Sequence, residues 1–142
     1  MNTSDDDHRT IGEVIVTYAR ALDLRDWALA KAQFTDTAEA YEAVAPGPEA
    51  IIAFNRSRLD GCGPTMHFLG YQSIRVDQDR AHAVTQVRAF HVGKGAKAGA
   101  SFEVMGEYHD ELARTARGWL IARRRFDRRL VQGDPGVLSP GA

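Results

Sequence analysis

The first part of the chain carries hydrophobic residues at helical spacing. Ile11, Ile15, Tyr18 and Leu22 recur every three or four positions and form one apolar face that bears a single phenol. A cap candidate, Ser4, and the three carboxylates of Asp5, Asp6 and Asp7 stand just before this face, where carboxylates favour the positive end of a helix dipole. The pattern predicts a long amphipathic helix near the start of the chain.

A second, shorter helix and a strand are predicted next. Asp26 is a suitable N-cap residue, and Trp27, Ala30 and Phe34 then share one side of a short helix. A short strand is predicted around Ala38–Val44.

From residue 65 onward the hydrophobic period changes from helical to alternating. Before that point, Pro48 suits the first position of a third helix, which ends at the Gly61–Pro64 turn. After it, alternation between turn residues predicts four long strands: Met66–Val76, Arg80–Val92, Ser101–Leu112 and Trp119–Leu130.

Helices followed by strands with short connections predict an α+β domain whose three N-terminal helices cover one face of a mainly antiparallel sheet. We expect one domain over residues 9–130, with flexible tails at 1–8 and 133–142.

Composition and charge limit the partners. The chain has 142 residues, 44% of them hydrophobic, and 18 Lys plus Arg against 19 Asp plus Glu give a formal net charge of -1. Nucleic acid and membrane are therefore not expected as partners, and strand alternation splits the basic run at 123–129 across both sheet faces. Cys62, the only cysteine, cannot form an internal disulfide, and no apolar stretch reaches the ~18–20 residues of a membrane helix. We expect a cytoplasmic protein.

Strand alternation assigns the inward positions of the sheet. On the second long strand the inward set includes Ala83, Ala89 and His91, and on the third it includes Gly106 and Tyr108. Small residues on an inward face leave room for a cavity between helices and sheet, unless helical side chains fill it.

The first long strand adds His67, which shares one face with Leu69 and Tyr71. The sheet is therefore expected to carry two imidazoles, His67 and His91, on its covered face.

Three segments resemble a known family: Tyr18–Trp27, Met66–Gly70 and Val87–His91. Together they resemble the SnoaL-like branch of the nuclear-transport-factor-2-like superfamily, nearest to scytalone dehydratase and bile acid dehydratase. The resemblance implies a cone-shaped barrel made of a curved, mainly antiparallel sheet, covered on its concave face by the three helices. It also implies a homodimer or higher homo-oligomer.

The resemblance carries over to individual residues. Asp23, Tyr41, His67 and His91 match the site residues of scytalone dehydratase, and Tyr18 has the spacing to Asp23 that bile acid dehydratase shows.

Three positions depart from the scytalone dehydratase pattern: Leu22, Asp110 and Leu112. Scytalone itself is therefore not the expected substrate.

A catalytic hypothesis follows for the matched residues. His67 is the expected base and proton shuttle, and Asp23 is expected to hold His91 through a hydrogen bond. Tyr18 and Tyr41 are expected to donate to a substrate carbonyl. The alternatives are a solvent-exposed carboxylate for Asp23, a satisfied core imidazole for His91, and core rings bonded to backbone carbonyls for the two tyrosines.

Further substrate contacts are expected from Tyr41, Tyr108, Trp27 and Tyr71. The hypothesis needs no cofactor, and the sequence contains no glycine-rich phosphate loop and no His-Glu-x-x-His metal motif.

The function that the resemblance implies is a cofactor-independent, dehydratase-type lyase acting on a cyclic, carbonyl-bearing hydrophobic small molecule. A polyketide cyclase or isomerase in the same pocket, and a non-catalytic small-molecule-binding module, remain alternatives.

Overall fold

The computed structural model describes residues 3–41 and 44–138. Within these ranges, most elements lie close to where hydrophobic spacing predicts one, but the first strand spans Phe34–Ala40 and not Ala38–Val44. The elements are α1 Thr3–Leu24, α2 Trp27–Lys31, β1 Phe34–Ala40, α3 Pro48–Leu59, β2 Thr65–Asp77, β3 Arg80–Val92, β4 Ser101–Thr115 and β5 Gly118–Gly133. The α+β prediction is confirmed.

The five strands form one mixed, mostly antiparallel sheet in the order β1-β5-β4-β3-β2. Short turns join β2 to β3 and β4 to β5, so these neighbours are antiparallel, whereas β1 pairs with β5 in parallel. Gly118 adopts φ 95 in the turn before β5, a conformation that glycine reaches without steric cost. The sheet curves but does not close into a complete barrel, because β1 and β2 remain as its edges.

The predicted apolar face of α1 packs into the core. Ile11, Ile15, Tyr18 and Leu22 are all buried and belong to the main hydrophobic cluster. Burying this face against β2 and β5 supplies the hydrophobic free energy that docks the helix on the sheet.

The helical assignment of Phe34 is wrong. Asp26 does cap α2 by accepting a hydrogen bond from the Leu29 N–H at 3.1 Å, but α2 ends at Lys31. Phe34 instead begins β1, where it pairs with Ile121 of β5 and lies buried. Tertiary pairing with β5 therefore overrides the local helical spacing.

Both segments expected as loose tails contain ordered structure. Asp7 is buried in α1, where its carboxylate accepts two hydrogen bonds of 2.8 Å from Arg114 and one of 3.0 Å from the Trp119 indole. At the other end, a 3-10 helix spans Pro135–Leu138 and buries Val137. Charge-assisted bonds and apolar burial thus hold positions whose composition is typical of tails. Residues 1, 2 and 139–142 lie outside the described residues.

None of the described helices has the length and apolarity needed to cross a membrane.

We predict that Asp7→Asn lowers the melting temperature by several degrees at neutral pH, and by progressively less as the solution is acidified. Hydrogen bonds from Arg114 and Trp119 hold the pKa of Asp7 at about 2, below its ordinary 3.8. A lowered pKa contributes stability that is fully present above the unfolded value and is lost as pH falls through the folded value. Thermal unfolding of both proteins from about pH 7 to about pH 2 measures the difference, and a difference that does not change with pH would contradict this role.

Candidate active site

The two strand histidines lie on the same, helix-covered face of the sheet, as predicted. His91 is the Cα partner of Thr65, and His67 is the partner of Ala89, so the two histidines are two positions apart on adjacent strands. Their ring centroids are 6.0 Å apart and the rings are nearly perpendicular. Both side chains are almost completely buried.

The carboxylate of Asp23 holds His67 at two points. Oδ1 lies 2.6 Å from His67 Nδ1, and Oδ2 accepts a hydrogen bond of 2.8 Å from the His67 backbone N–H. Oδ1 also accepts a hydrogen bond of 3.0 Å from the Thr65 hydroxyl. Asp23 is the penultimate residue of α1, so this carboxylate joins the end of the helix to the start of β2.

The expected pairing of Asp23 with His91 is not formed. His91 Nδ1 lies 2.9 Å from the backbone oxygen of Phe102, and because a carbonyl only accepts, Nδ1 carries the proton. Burial lowers the pKa of His91, and the charges of His67 and Arg25 lower it further. His91 is therefore a neutral imidazole whose Nε2 carries a lone pair.

The protonation of the Asp23–His67 pair follows from its hydrogen bonds. Burial alone would raise the pKa of Asp23, but hydrogen bonds from the His67 side chain and backbone outweigh it, so the net shift is downward. An ionised carboxylate only accepts, so His67 Nδ1 donates to it and neutral His67 keeps its lone pair at Nε2. This is the form that a general base requires.

Arg25 supports the same site and is not suggested by the sequence pattern. It follows α1 with a left-handed φ of 55, which turns the chain at the helix end. Its guanidinium donates hydrogen bonds of 2.8 Å to the Leu22 carbonyl, the Thr65 hydroxyl and the Gly63 carbonyl. Arg25 thus fixes the start of β2 against the end of α1.

A second polar cluster surrounds Tyr18. Its hydroxyl accepts a hydrogen bond of 2.6 Å from Asn55 Nδ2, and Tyr41 donates to the Asn55 Oδ1 at 3.4 Å. Burial raises the pKa of Tyr18 well above its ordinary value, so the phenol keeps its proton. Asn55 was missed by the sequence analysis; its signal is a polar residue on the buried face of α3, beside Ile51 and Ile52.

The innermost charge belongs to Arg124, one residue of the basic run at 123–129 that strand alternation divides between the two sheet faces. Arg124 and Asp110 are fully buried and joined by hydrogen bonds of 2.7 and 2.8 Å. The guanidinium also lies over the rings of Tyr108, at 3.8 Å, and Tyr18, at 4.7 Å. Alternation along β5 turns this one arginine inward and leaves Arg123 and Arg125 exposed.

Two of the expected substrate contacts lie elsewhere. Trp27 is half-buried beneath the guanidinium of Arg56, at 5.8 Å. Tyr71 is 52% exposed on the outer face of the sheet, where its hydroxyl donates to Glu107. A bulge between Leu69 and Gln72 inserts one extra residue into β2 and reverses its alternation, which the sequence analysis did not foresee.

Three buried polar side-chain atoms on the inner face have no hydrogen-bond partner among the described residues: Gln72 Nε2, Thr85 Oγ1 and Arg124 Nη1. Gln72 and Thr85 are Cα partners across β2 and β3, and Thr85 is in turn the partner of Tyr108 on β4. Unpaired buried polar groups cost free energy, so their clustering points to a ligand that supplies the missing bonds.

An open groove of about 760 Å³ at the edge of the sheet is lined in part by one of these residues, Arg124, but not by Gln72 or Thr85. We call it the β5-edge groove; β1, the loop after it and β5 line it, with Tyr41 and Arg124 at the cluster. Asp23 and the two histidines are not among its lining residues. The expected residues therefore form two adjoining groups on α1, one around Asp23 and His67 and one around Tyr18.

One group of potential metal ligands occurs in the described part of the chain, away from these residues. Glu107, His109 and Asp127 place ligand atoms within 4.8 Å of one another. Arg129 donates to Glu107 at 3.0 Å and Tyr71 also donates to it, so the protein itself already provides partners for this carboxylate.

Comparison with known proteins identifies the fold. Residues 4–125 match the family model described as a SnoaL-like domain. No curated protein sequence shows significant similarity to the chain.

Three solved structures illustrate the similarity. The Kfla4162 protein from Kribbella flavida has a TM-score of 0.84 and 23% identity, covering 95% of this chain and 98% of its own. A protein from Novosphingobium aromaticivorans, named provisionally as a scytalone dehydratase, has a TM-score of 0.80 and 20% identity, with 92% and 89% covered. The hexachlorocyclohexane dehydrochlorinase LinA-type3 from Novosphingobium barchaimii has a TM-score of 0.75 and 16% identity, with 93% and 95% covered. At these identities the likeness establishes the fold alone.

We predict that Asp110→Asn destabilises the protein by about 3–5 kcal/mol, because it leaves the guanidinium of Arg124 buried without a counter-charge. Arg123→Gln, which removes an exposed neighbour on the same strand, is the control and should change stability by less than about 0.5 kcal/mol. Urea unfolding measures both free energies. Equal, small losses in the two variants would show that the buried pair is not needed.

Proposed function

The chain belongs to the SnoaL-like domain family, and we propose that it is a cofactor-independent lyase acting on a cyclic, carbonyl-bearing hydrophobic small molecule. The observation that carries the proposal is the contact of 2.6 Å between Asp23 Oδ1 and His67 Nδ1 on the inner face of the sheet. It orients the imidazole and fixes its tautomer, as a carboxylate does for a catalytic histidine.

The proposed reaction begins with proton removal by His67. Nε2 takes a proton from the carbon beside the substrate carbonyl, and the electron pair of that C–H bond forms an enolate. Asp23 stabilises the resulting imidazolium across the same hydrogen bond. The enolate pair then forms the C=C bond, the bond to the departing hydroxyl breaks, and the proton on His67 returns to the leaving oxygen as water.

The second polar group supplies partners for the developing oxyanion. The Tyr18 hydroxyl accepts from Asn55 and retains its own proton as a donor. Arg124 adds an unpaired N–H donor at Nη1, in a position held by Asp110 and two aromatic rings. Donors fixed in place before the reaction, in a buried environment, are the arrangement that stabilises an enolate best.

Isomerisation is a second proposed function, favoured by the paired imidazoles. His91 lies with its ring centroid 6.0 Å from that of His67 and is neutral, so it can accept or deliver a proton at a neighbouring carbon. The same groups would then move a double bond without loss of water. Cyclisation through the enolate and a non-catalytic binding role also remain to be tested. The cytoplasmic location and the homo-oligomer stay predictions.

We predict that His67→Gln lowers the rate of proton exchange by about 10²–10⁴-fold, because the variant keeps a side chain facing Asp23 but has no basic nitrogen. The assay follows deuterium incorporation beside the carbonyl in a panel of cyclic ketones by NMR, with loss of water followed in parallel by mass spectrometry.

His82→Gln is the matched control for this experiment. His82 lies on the same sheet, near His109 at a ring distance of 6.1 Å, and takes no part in the proposed site. Undiminished exchange in His67→Gln would eliminate His67 as the base. Binding of the ketones without exchange by the unmodified protein would favour the binding module, and exchange without loss of water would favour the isomerase.

We predict that Asp23→Asn also lowers the exchange rate by about 10²–10⁴-fold while the protein stays folded. The amide can still contact Thr65 and the backbone of β2, but it cannot stabilise an imidazolium by charge. Measuring the melting temperature beside the rate separates the two effects: a normal rate in a folded variant would make Asp23 a structural residue only.

A further inference from the structure

The β5-edge groove lies at the point where pairing between β1 and β5 ends. The last Cα pair between β1 and β5 in the described part of the chain is Ala40–Arg124. Val44 and Pro46 form the opposite wall. The resulting volume of about 760 Å³ falls in the range that small-molecule sites occupy in proteins.

The walls of this groove carry an excess of positive charge. Arg123, Arg124, Arg125 and Arg128 line it, against the single carboxylate of Glu39 among the described lining residues. In the described part of the chain, the three outer arginines of this set make no ion pair or hydrogen bond through their side chains. Because Asp110 offsets the charge of Arg124, the positive potential that attracts an anion comes from the outer arginines, Arg125 and Arg128 above all.

Other arginines of the protein are neutralised by neighbouring carboxylates. Arg9 pairs with Asp6 and Glu13, and Arg114 pairs with Asp7 and Asp79. Among the groove arginines, Arg124 is paired with Asp110, and Arg123 lies opposite Glu39 on β1 and Glu111 on β4 without an ion pair to either. Arg125 and Arg128 differ, because their Cα partners on β4 are His109 and Gly106 and not carboxylates.

One of the lining residues, Arg124, carries an unsatisfied donor among the described residues. Arg124 is fully buried, and Asp110 takes its Nε and Nη2 hydrogens, but Nη1 has no partner among the described residues. A buried charged N–H without an acceptor costs more than an exposed one. An oxygen of a bound anion would satisfy Nη1 at the point where the groove meets Tyr41 and the Tyr18 cluster.

The same groove offers apolar surface beside the charge. Tyr41, Val44, Pro46 and Phe126 line it together with the arginines. The occupant that fits both features combines a ring or chain with an oxyanion; an inorganic ion alone would leave the apolar walls uncovered.

From these observations we infer that the β5-edge groove binds an oxyanion substituent, carboxylate or phosphate, of an otherwise apolar small molecule. Arg123, Arg125 and Arg128 attract the substituent, and Arg124 Nη1 accommodates an oxygen at the inner end. That this molecule is the substrate rests on the proposed function. Its ring would enter toward Tyr18, and its anionic substituent would stay at the edge of the sheet.

The test compares matched probes by isothermal titration calorimetry: naphthoate, its uncharged methyl ester, naphthyl phosphate and inorganic phosphate. We expect naphthoate or naphthyl phosphate to bind at least about tenfold more tightly than the methyl ester, with affinity falling as salt is added. The tighter of the two anions identifies the substituent. Equal binding of naphthoate, naphthyl phosphate and the methyl ester would overturn the inference, as would inorganic phosphate binding as tightly as naphthyl phosphate.

Variants locate the binding. Arg128→Gln and Arg125→Gln should each lower the affinity for the anionic probe by about three- to tenfold. The expected effect is moderate because water and salt partly screen exposed charges. Arg75→Gln, on the exposed side of β2, removes the same charge far from the groove and should leave affinity unchanged. Equal weakening in all three would show a general charge effect and overturn the assignment.

One further variant separates this inference from the proposed function. His67→Gln should retain the affinity for the anionic probe, because His67 does not line the groove. If the unmodified protein exchanges no substrate proton but binds the probe through the groove arginines, the subsite is supported and the lyase is rejected.

Discussion

The carboxylate of Asp23 is the contact on which the rest of the site depends. It accepts hydrogen bonds from the backbone and ring of His67 and from the Thr65 hydroxyl, so one side chain fixes the end of α1, the start of β2 and the imidazole together. Arg25 closes the same junction from its other side. Because both residues stand where the helix ends, the length of α1 determines which strand residue the carboxylate meets.

The buried pair of Arg124 and Asp110 is the second constraint. Two desolvated charges are weak evidence for stability, since their attraction must first offset the loss of hydration. Their effect here is positional, because the guanidinium lies against the rings of Tyr18 and Tyr108 and holds both side chains in place. Asn55 and Tyr41 continue the same polar cluster through hydrogen bonds. Arg124 Nη1 has no hydrogen-bond partner among the described residues, although buried polar groups are usually paired.

Regular spacing made most of the fold predictable, and departures from it account for the errors. Alternation placed His67 and His91 correctly because β3 and the first part of β2 are regular. It failed for Tyr71, where a bulge intervenes, and helical spacing failed for Phe34, where strand pairing decides. The partner of Asp23 could not be predicted, because two imidazoles on one face are equivalent until ring orientations are known. Alternation divided the basic run between the two faces, as observed, but it could not identify the buried partner of Arg124, because Asp110 lies on another strand.

The bulge between Leu69 and Gln72 divides β2 into two halves in which the inward-facing positions are reversed. In the first half the odd-numbered residue His67 faces the interior; in the second, the even-numbered Ile74 and Val76 do so, packed against the core beneath α1. A single inserted residue therefore allows one strand to present His67 to the interior at one end and to anchor the helix at the other.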